Sequence, residues 1–583
     1  MKKNRFLSLL SLLLCALLLC GCAEWDETWR SIESFFAESG EQDYRHDSED
    51  MVPFSQMSYE RPDVDALEER VALVQEALDN GKRLRTVEEL LDDCYESYYD
   101  FSTMYTLADI HNCLDLSDNY YADEYDWCLE QYARVRQLMD DMFYACGGSS
   151  LAKDLEEDYF WEGFAEEYSN KEDSIYTDEM VALMQEESDL ITEYREMVAM
   201  QTVVFRGEEH VLDELLETLW GSDYIEALNA YYEQSNEKYA DLLRRMVAVR
   251  EKQAAEQGYD SYEALQYSET GYNRDYTPAE AAAYLEDIKT WLVPLYQELQ
   301  NSSVPGWVDY RQAMGEEKLD ELLATLADKL GEQGQEAYRF MKDYELSDIK
   351  KDDNKANMSF MIYIDNYNAP FLFVNASGYT GDLLTYAHEF GHYCDAYVNW
   401  NASETTDLAE VYSTSLENLL LSCLKDSMSE DEIGNLTRMQ MIDNLELYVY
   451  QGAYASFEHR LYEMGSENLD AETINRLFRE ATDDFGVFDS NYEMYYSRYW
   501  ADIPHFFEQP LYIISYPVSI DVAMQLYAME QAEAGSGLAR YVGMLERDFG
   551  TLPELVEAHG FEGPFDEGRI EKIAAEIRLA LGL

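Results

Sequence analysis

Residues 383–392 read Leu383-Leu384-Thr385-Tyr386-Ala387-His388-Glu389-Phe390-Gly391-His392. Read as a helix, this stretch puts His388 and His392 one turn apart on one face. Two imidazoles at that spacing can hold one zinc ion, and Glu389 stands where a water beside that ion would be. Chance is a poor explanation. With 8 His and 119 Asp+Glu in 583 residues, a His, an acid and a second His at these offsets should occur about 0.02 times per chain. The chemistry read from these three residues is proton abstraction from water by Glu389 and attack on a polarised peptide carbonyl, the same carboxyl then protonating the leaving amine.

Working outward, the residues before this helix change period. Phe360-Met361-Ile362-Tyr363-Ile364 and Phe371-Leu372-Phe373-Val374 are compact β-favouring runs, and Asp365 to Pro370 between them is turn-like, so a hairpin is expected here. Elsewhere apolar residues recur at three and four, as in Leu67, Val71, Val74 and Leu78, which is the helical period. The expectation is a mainly α chain with one short strand region and no internal repeat, the strands beside the special helix.

A zinc hydrolase needs a third protein ligand. After His392 no histidine occurs until His459, so a nearby carboxylate is expected. Leu408 to Leu420 is an amphipathic stretch in which Glu410 and Glu417 lie seven apart on one face. By spacing alone Glu410 competes with Glu404, Asp407 and Glu417.

Composition bounds the remaining possibilities. The chain has 119 Asp+Glu against 42 Lys+Arg, a formal charge of −77. Nucleic acid and anionic lipid head groups are excluded as partners on charge. Disorder is excluded by 47% hydrophobic residues, 48 Tyr and few Gly or Pro. Lys2, Lys3 and Arg5 precede an uncharged run from Phe6 to Leu19, too short to span a bilayer but suited to a secretory signal. It ends in Leu19-Cys20-Gly21-Cys22, which resembles the bacterial lipobox. That resemblance makes Cys22 the lipidated mature N-terminus, and residues 1–21 the signal peptide. Residues 22–52 then form an acidic spacer, 53–190 an N-terminal helical domain and 191–583 the catalytic domain. Of the nine cysteines, Cys94, Cys113, Cys128, Cys146, Cys394 and Cys423 lie beyond the anchor with no metal-type spacing, and both disulfides and buried thiols remain open.

The motifs together resemble oligoendopeptidase F, a branch of the thimet oligopeptidase family of zinc peptidases. The resemblance rests on Thr385–His392, on Ala409-Glu410-Val411-Tyr412-Ser413-Thr414 with Glu417-Asn418, and on Pro370 to Asn375. Val249 to Ala254 with Gly258 to Tyr262, and Ile503-Pro504-His505-Phe506-Phe507 with Leu511, Tyr512 and Tyr516, also agree. It runs from about residue 200 to the C-terminus. It implies a zincin-like helical fold with a deep central channel and a small β-sheet next to the motif helix. It further implies one zinc ion per chain on His388, His392 and Glu410, with Glu389 as general base and acid and Glu417 orienting a ligand histidine. By the same resemblance His505 and Tyr516 donate hydrogen bonds to the substrate carbonyl, assisted by Tyr512, and Phe371, Leu372, Phe373, Val374 and Asn375 form an edge strand for an extended peptide. The activity implied is cleavage of internal bonds in short unfolded oligopeptides by an exported lipoprotein, on the outer face of the cell membrane and touching it only through its anchor. A related helical carboxypeptidase and an inactive peptide-binding lipoprotein are the alternatives. Oligomeric state is not readable.

Overall fold

A computed structural model describes residues 51–171, 174–302, 313–352, 354–399, 405–487, 496–546 and 549–583. The expected signal segment, Cys22 and nearly all of the expected acidic spacer lie outside the described residues. As the apolar periodicity predicts, the chain is mostly helical with small sheets. Among the described residues no helix is long and apolar enough to cross a membrane.

The N-terminal helices Val64–Asp79, Leu84–Leu114 and Asn119–Gly147 close over a core of their own, built from Leu67, Val71, Val74, Leu91, Met139 and Phe143 among others. The first of these starts where Asp63 caps the Ala66 N–H, which satisfies an otherwise unpaired donor at the helix end. A much larger core gathers the remaining helices around the helix Asp382–Asn399, which carries His388 and His392.

The six described cysteines are all buried free thiols. Burial pushes the Cys94, Cys128 and Cys423 thiols up to about 12, so they pack as small apolar groups.

Two sheets are present among the described residues. β1 (Thr202–Phe205) and β2 (Glu208–Val211) form an antiparallel hairpin, inside a region whose periodicity predicted only helix. Arg206 and Gly207 make the turn at φ 53° and 92°, the double left-handed geometry that joins twisted strands in two residues. The second sheet contains the expected hairpin: β4 (Ser359–Ile364) pairs antiparallel with β5 (Ala369–Val374). The connecting turn docks on the Leu84–Leu114 helix, where Ser102 donates to Asp365 and Thr103 accepts from the Asn366 N–H.

One expectation is corrected by this sheet. Ser347–Asp348 forms a two-residue strand, β3, parallel to β5, and the order is β3-β5-β4. Phe371, Leu372, Phe373 and Val374 therefore lie on the central strand. All are buried, and Leu372 and Phe373 are flanked by a strand on each side. Asn375 donates to the carbonyls of Asp352 and Lys355. An extended peptide needs an open edge, and this strand does not offer one there. Its role is to support the motif helix, against which it packs.

Candidate metal centre

The motif helix runs from Asp382 to Asn399. At its start the Asp382 carboxylate accepts from the N–H groups of Ser377, Gly378 and Tyr379, which binds the preceding turn to the positive end of the helix. Its neighbour is the helix Thr406–Cys423, begun by Thr405 capping the Leu408 N–H. The two cross at Gly391, where an added Cβ would stand 2.6 Å from Ser413 Cα. Glycine at this position lets the two backbones approach closely.

That approach assembles the site. His388 Nε2 lies 3.6 Å from Glu410 Oε2, and His392 Nε2 lies 3.8 Å from the same oxygen. One donor atom from each of the three residues falls within 4.8 Å of the others, and all three residues are buried. Glu417 Oε2 stands 3.5 Å from His388 Nδ1, so the far nitrogen of the ring faces a carboxylate that fixes its orientation. His388, His392, Glu410 and Glu417 are thus brought together, the grouping that the family resemblance implies.

The donor set fits a divalent ion such as zinc. Two imidazoles and a carboxylate leave room for water or substrate as further ligands. His388 Nε2 and Glu389 Oε2 are buried without hydrogen-bond partners, an arrangement that is costly unless something else engages them. The electrostatics agree. Burial lowers the His388 pKa, but Glu417 bonded to its ring, with Glu389 and Glu410 close by, pushes it up to about 9. Burial pushes Glu389 up to about 8 and also raises Glu410, whereas burial and the neighbouring His388 hold His392 well below its ordinary value. The cluster calls for positive charge.

Facing this centre is the segment 505–516. Tyr512 donates its hydroxyl hydrogen to Glu410 Oε1 at 2.6 Å. His505 Nε2 and the Tyr516 hydroxyl are 3.2 Å apart, and the Tyr512 ring lies 6.0 Å from His505 and 5.3 Å from Tyr516 between centroids. All three side chains are buried. Burial pushes His505 down to about 4, so at neutral pH it is an uncharged ring with one N–H to give. Tyr512, expected only to assist, makes the direct contact with the Glu410 carboxylate.

Two buried arginines were not identified by sequence reasoning. Arg250 stands in the Val249–Ala254 stretch, where nothing in the sequence marks it for a role. Its guanidinium pairs with Glu187 at 2.6 Å, donates to the Phe506 carbonyl at 3.1 Å and to the Phe507 carbonyl, and so seats the backbone beside His505. Arg274 performs a similar task at the other end of the segment, donating to the Leu511 carbonyl at 2.9 Å. Its one sequence signal is a basic residue among Tyr267, Tyr272 and Tyr276 in an acid-rich chain.

Comparison with known proteins gives the same architecture. Residues 54–172 match the Peptidase M3 N-terminal domain and residues 335–549 match Peptidase family M3. A solved structure described as an oligoendopeptidase F superposes with a TM-score of 0.75 at 23% identity, covering 91% of this chain and 99% of its own. PZ peptidase A with an inhibitor gives 0.75 at 22% identity, with 91% and 99% covered. A Bacillus anthracis structure described as an oligoendopeptidase F gives 0.73 at 24%, with 91% and 98% covered. Among curated sequences, Oligopeptidase PepF of Bacillus subtilis (strain 168) is 23% identical over 247 residues, 41% of this chain. Group B oligopeptidase PepB of Streptococcus agalactiae serotype III (strain NEM316) is 26% identical over 167 residues, 27% of this chain. The chain spans only 36% and 27% of the lengths of these two relatives. With models of one family matched in order over more than half the chain, and the His388–His392–Glu410 cluster inside the second of them, the chain belongs to peptidase family M3.

Proposed function

We propose that the protein is a zinc-dependent oligoendopeptidase that cleaves internal bonds of short, unfolded peptides. The observation that carries the reading is the convergence of His388, His392 and Glu410, with Glu389 Oε2 buried without a hydrogen-bond partner. Held by those three residues, zinc supplies Lewis acidity toward water and the scissile carbonyl. The chain's own groups do the rest. Glu389 takes a proton from the attacking water, and the oxygen adds to the carbonyl carbon. As the C–N bond breaks, the Glu389 carboxyl returns that proton to the amine. His505 and Tyr516 donate to the carbonyl oxygen as it gains charge, where preorganised donors have the most effect, and Tyr512 assists by keeping its hydroxyl on Glu410 Oε1. Burial keeps His505 uncharged, so its N–H can be offered without bringing a second positive charge to the centre.

Selection of short peptides follows from depth. His388, Glu389, His392, Glu410 and His505 are all at most 5% exposed, so a scissile bond reaches them only on a thin, extended chain. Export as a lipoprotein through Cys22 belongs to the same reading and rests on the signal-like first 22 residues. The acidic body would then stand off an anionic membrane.

An internally quenched peptide of about ten residues tests the proposal, followed by fluorescence and by product masses. Internal cleavage that stops with a chelator and returns with zinc is expected. Release of single C-terminal residues would assign a carboxypeptidase, and absence of turnover in the zinc-loaded protein would leave only peptide binding.

A further inference from the structure

Leu511, the residue before Tyr512, has φ 66°. A branched side chain enters that left-handed region only where its surroundings impose it. Here both of its backbone groups are gripped. Its N–H donates to Glu458 Oε1 at 2.6 Å, and its carbonyl accepts from Arg274 Nη2 at 2.9 Å. Glu458 is 1% exposed and the Arg274 side chain 0%.

Arg274 is itself fixed. Its Nη1 donates to Asp407 Oδ1 at 2.9 Å and to the Tyr276 hydroxyl. Its guanidinium carbon lies 5.1 Å from the ring centroids of both Tyr267 and Tyr272. Asp407 is three residues before Glu410 on the same helix, hence on nearly the same face. The contacts close a ring. Glu410 leads through one helical turn to Asp407, Asp407 to Arg274, Arg274 to the Leu511 carbonyl, and Leu511 along the chain to Tyr512. Tyr512 returns to Glu410 Oε1 at 2.6 Å.

We infer that Arg274, anchored on Asp407, is a positioning residue of the metal centre: by holding Leu511 in its left-handed conformation it aims the Tyr512 hydroxyl at Glu410 Oε1, which leaves Oε2 turned toward the two histidines. A purely structural ion pair would hold the fold without caring what Tyr512 does. The ring geometry makes a stronger demand, because Asp407 and Glu410 sit on one rigid helix and the arginine spans from that helix to the residue beside Tyr512. Only a planar fork reaches Asp407, Tyr276 and the Leu511 carbonyl together. The activity arm of the test rests on the function proposed above; the metal arm does not.

Arg274→Lys keeps the charge and loses the fork, and Asp407→Asn keeps the shape and loses the anchor. Each is made in the wild-type and in the Tyr512→Phe background. Zinc affinity is measured by competition with a chromophoric chelator, and kcat and KM on the quenched peptide. Arg274→Lys, Asp407→Asn and Tyr512→Phe are each expected to weaken zinc binding about tenfold and to lower kcat by about 10–100-fold with KM within about threefold, the range of outer-shell substitutions. In the Tyr512→Phe background either further substitution should change both quantities less than about twofold, because its effect passes through Tyr512. A further tenfold loss in that background, or unchanged zinc affinity in the single variants, overturns the proposal. Should Arg274→Lys fail to fold by circular dichroism, Asp407→Asn carries the same comparison. A wild-type protein that binds zinc but cleaves no peptide sinks the proposed function while the metal competition still decides the role of Arg274.

Discussion

Gly391→Ala adds one carbon at the crossing of the two helices that carry His388, His392 and Glu410, the proposed metal ligands. The new Cβ would stand 2.6 Å from Ser413 Cα, 2.7 Å from the Tyr412 carbonyl oxygen and 3.0 Å from Ser413 N. All three are backbone atoms, so no rotamer change relieves the overlap. Carbon atoms rest about 3.5–4 Å apart, and the helices must separate by about 1 Å. Two terms compete in stability. Alanine in a helix interior gains about 1 kcal/mol over glycine, and overpacking costs about 1–3 kcal/mol, so the expected net loss is about 0–2 kcal/mol. The site should suffer more than the fold. His388 and His392 ride on one helix and Glu410 on the other, and a misplacement of about 1 Å can cost about 100-fold in rate. Chelator competition reads zinc affinity, denaturant unfolding reads stability, and the quenched peptide reads kcat. A variant that folds, binds zinc within twofold of wild type and retains full turnover would refute the claim that the crossing at Gly391 sets the ligand geometry.

Other substitutions separate the roles of individual groups. Glu389→Gln should retain zinc by metal analysis and lose about 10²–10⁴ in kcat, the usual share of a general base; substantial residual turnover removes Glu389 from that role. Tyr516→Phe should lower kcat by about 10²-fold with little change in KM, because its donor matters most as charge develops on the substrate oxygen; a rise in KM alone would contradict this. Asp365, buried in the β4–β5 turn, is pushed up to about 6 by burial, partly offset by the Ser102 hydroxyl. A carboxyl whose folded pKa is raised contributes stability that is complete below its unfolded value near 4 and is lost as pH rises through 6. Asp365→Asn should therefore stabilise the protein by up to about 2–3 kcal/mol at pH 7 and leave it almost unchanged at pH 4; denaturant curves at the two pH values check this, and equal effects at both would contradict it.

The metal centre was legible because its information is local. His388, Glu389 and His392 depend only on helical spacing, and Glu410 needed one neighbouring amphipathic stretch plus the family resemblance to separate it from Asp407 and Glu417. His505, Tyr512 and Tyr516 came from resemblance alone, since nothing in a chain of 48 tyrosines marks two of them. Strand order was not legible. Whether β5 is an edge or a centre depends on Ser347–Asp348, a two-residue strand with no periodicity of its own, and that is why the peptide-docking strand was misassigned. β1 and β2 are four residues each, too short to interrupt a helical reading. Arg250 and Arg274 look like surface arginines until tertiary packing places tyrosines and carboxylates around them.

On the proposed function, His388, His392 and Glu410 together hold one metal ion that activity requires. Zinc titration of the purified protein, with metal content and peptide turnover read on the same samples, tests it most directly. The expected result is one zinc per chain, turnover rising in step with zinc content and reaching its maximum at one equivalent, and loss of both in His392→Ala and Glu410→Ala. Undiminished zinc binding in those two variants, or turnover that persists after zinc is stripped, would contradict it.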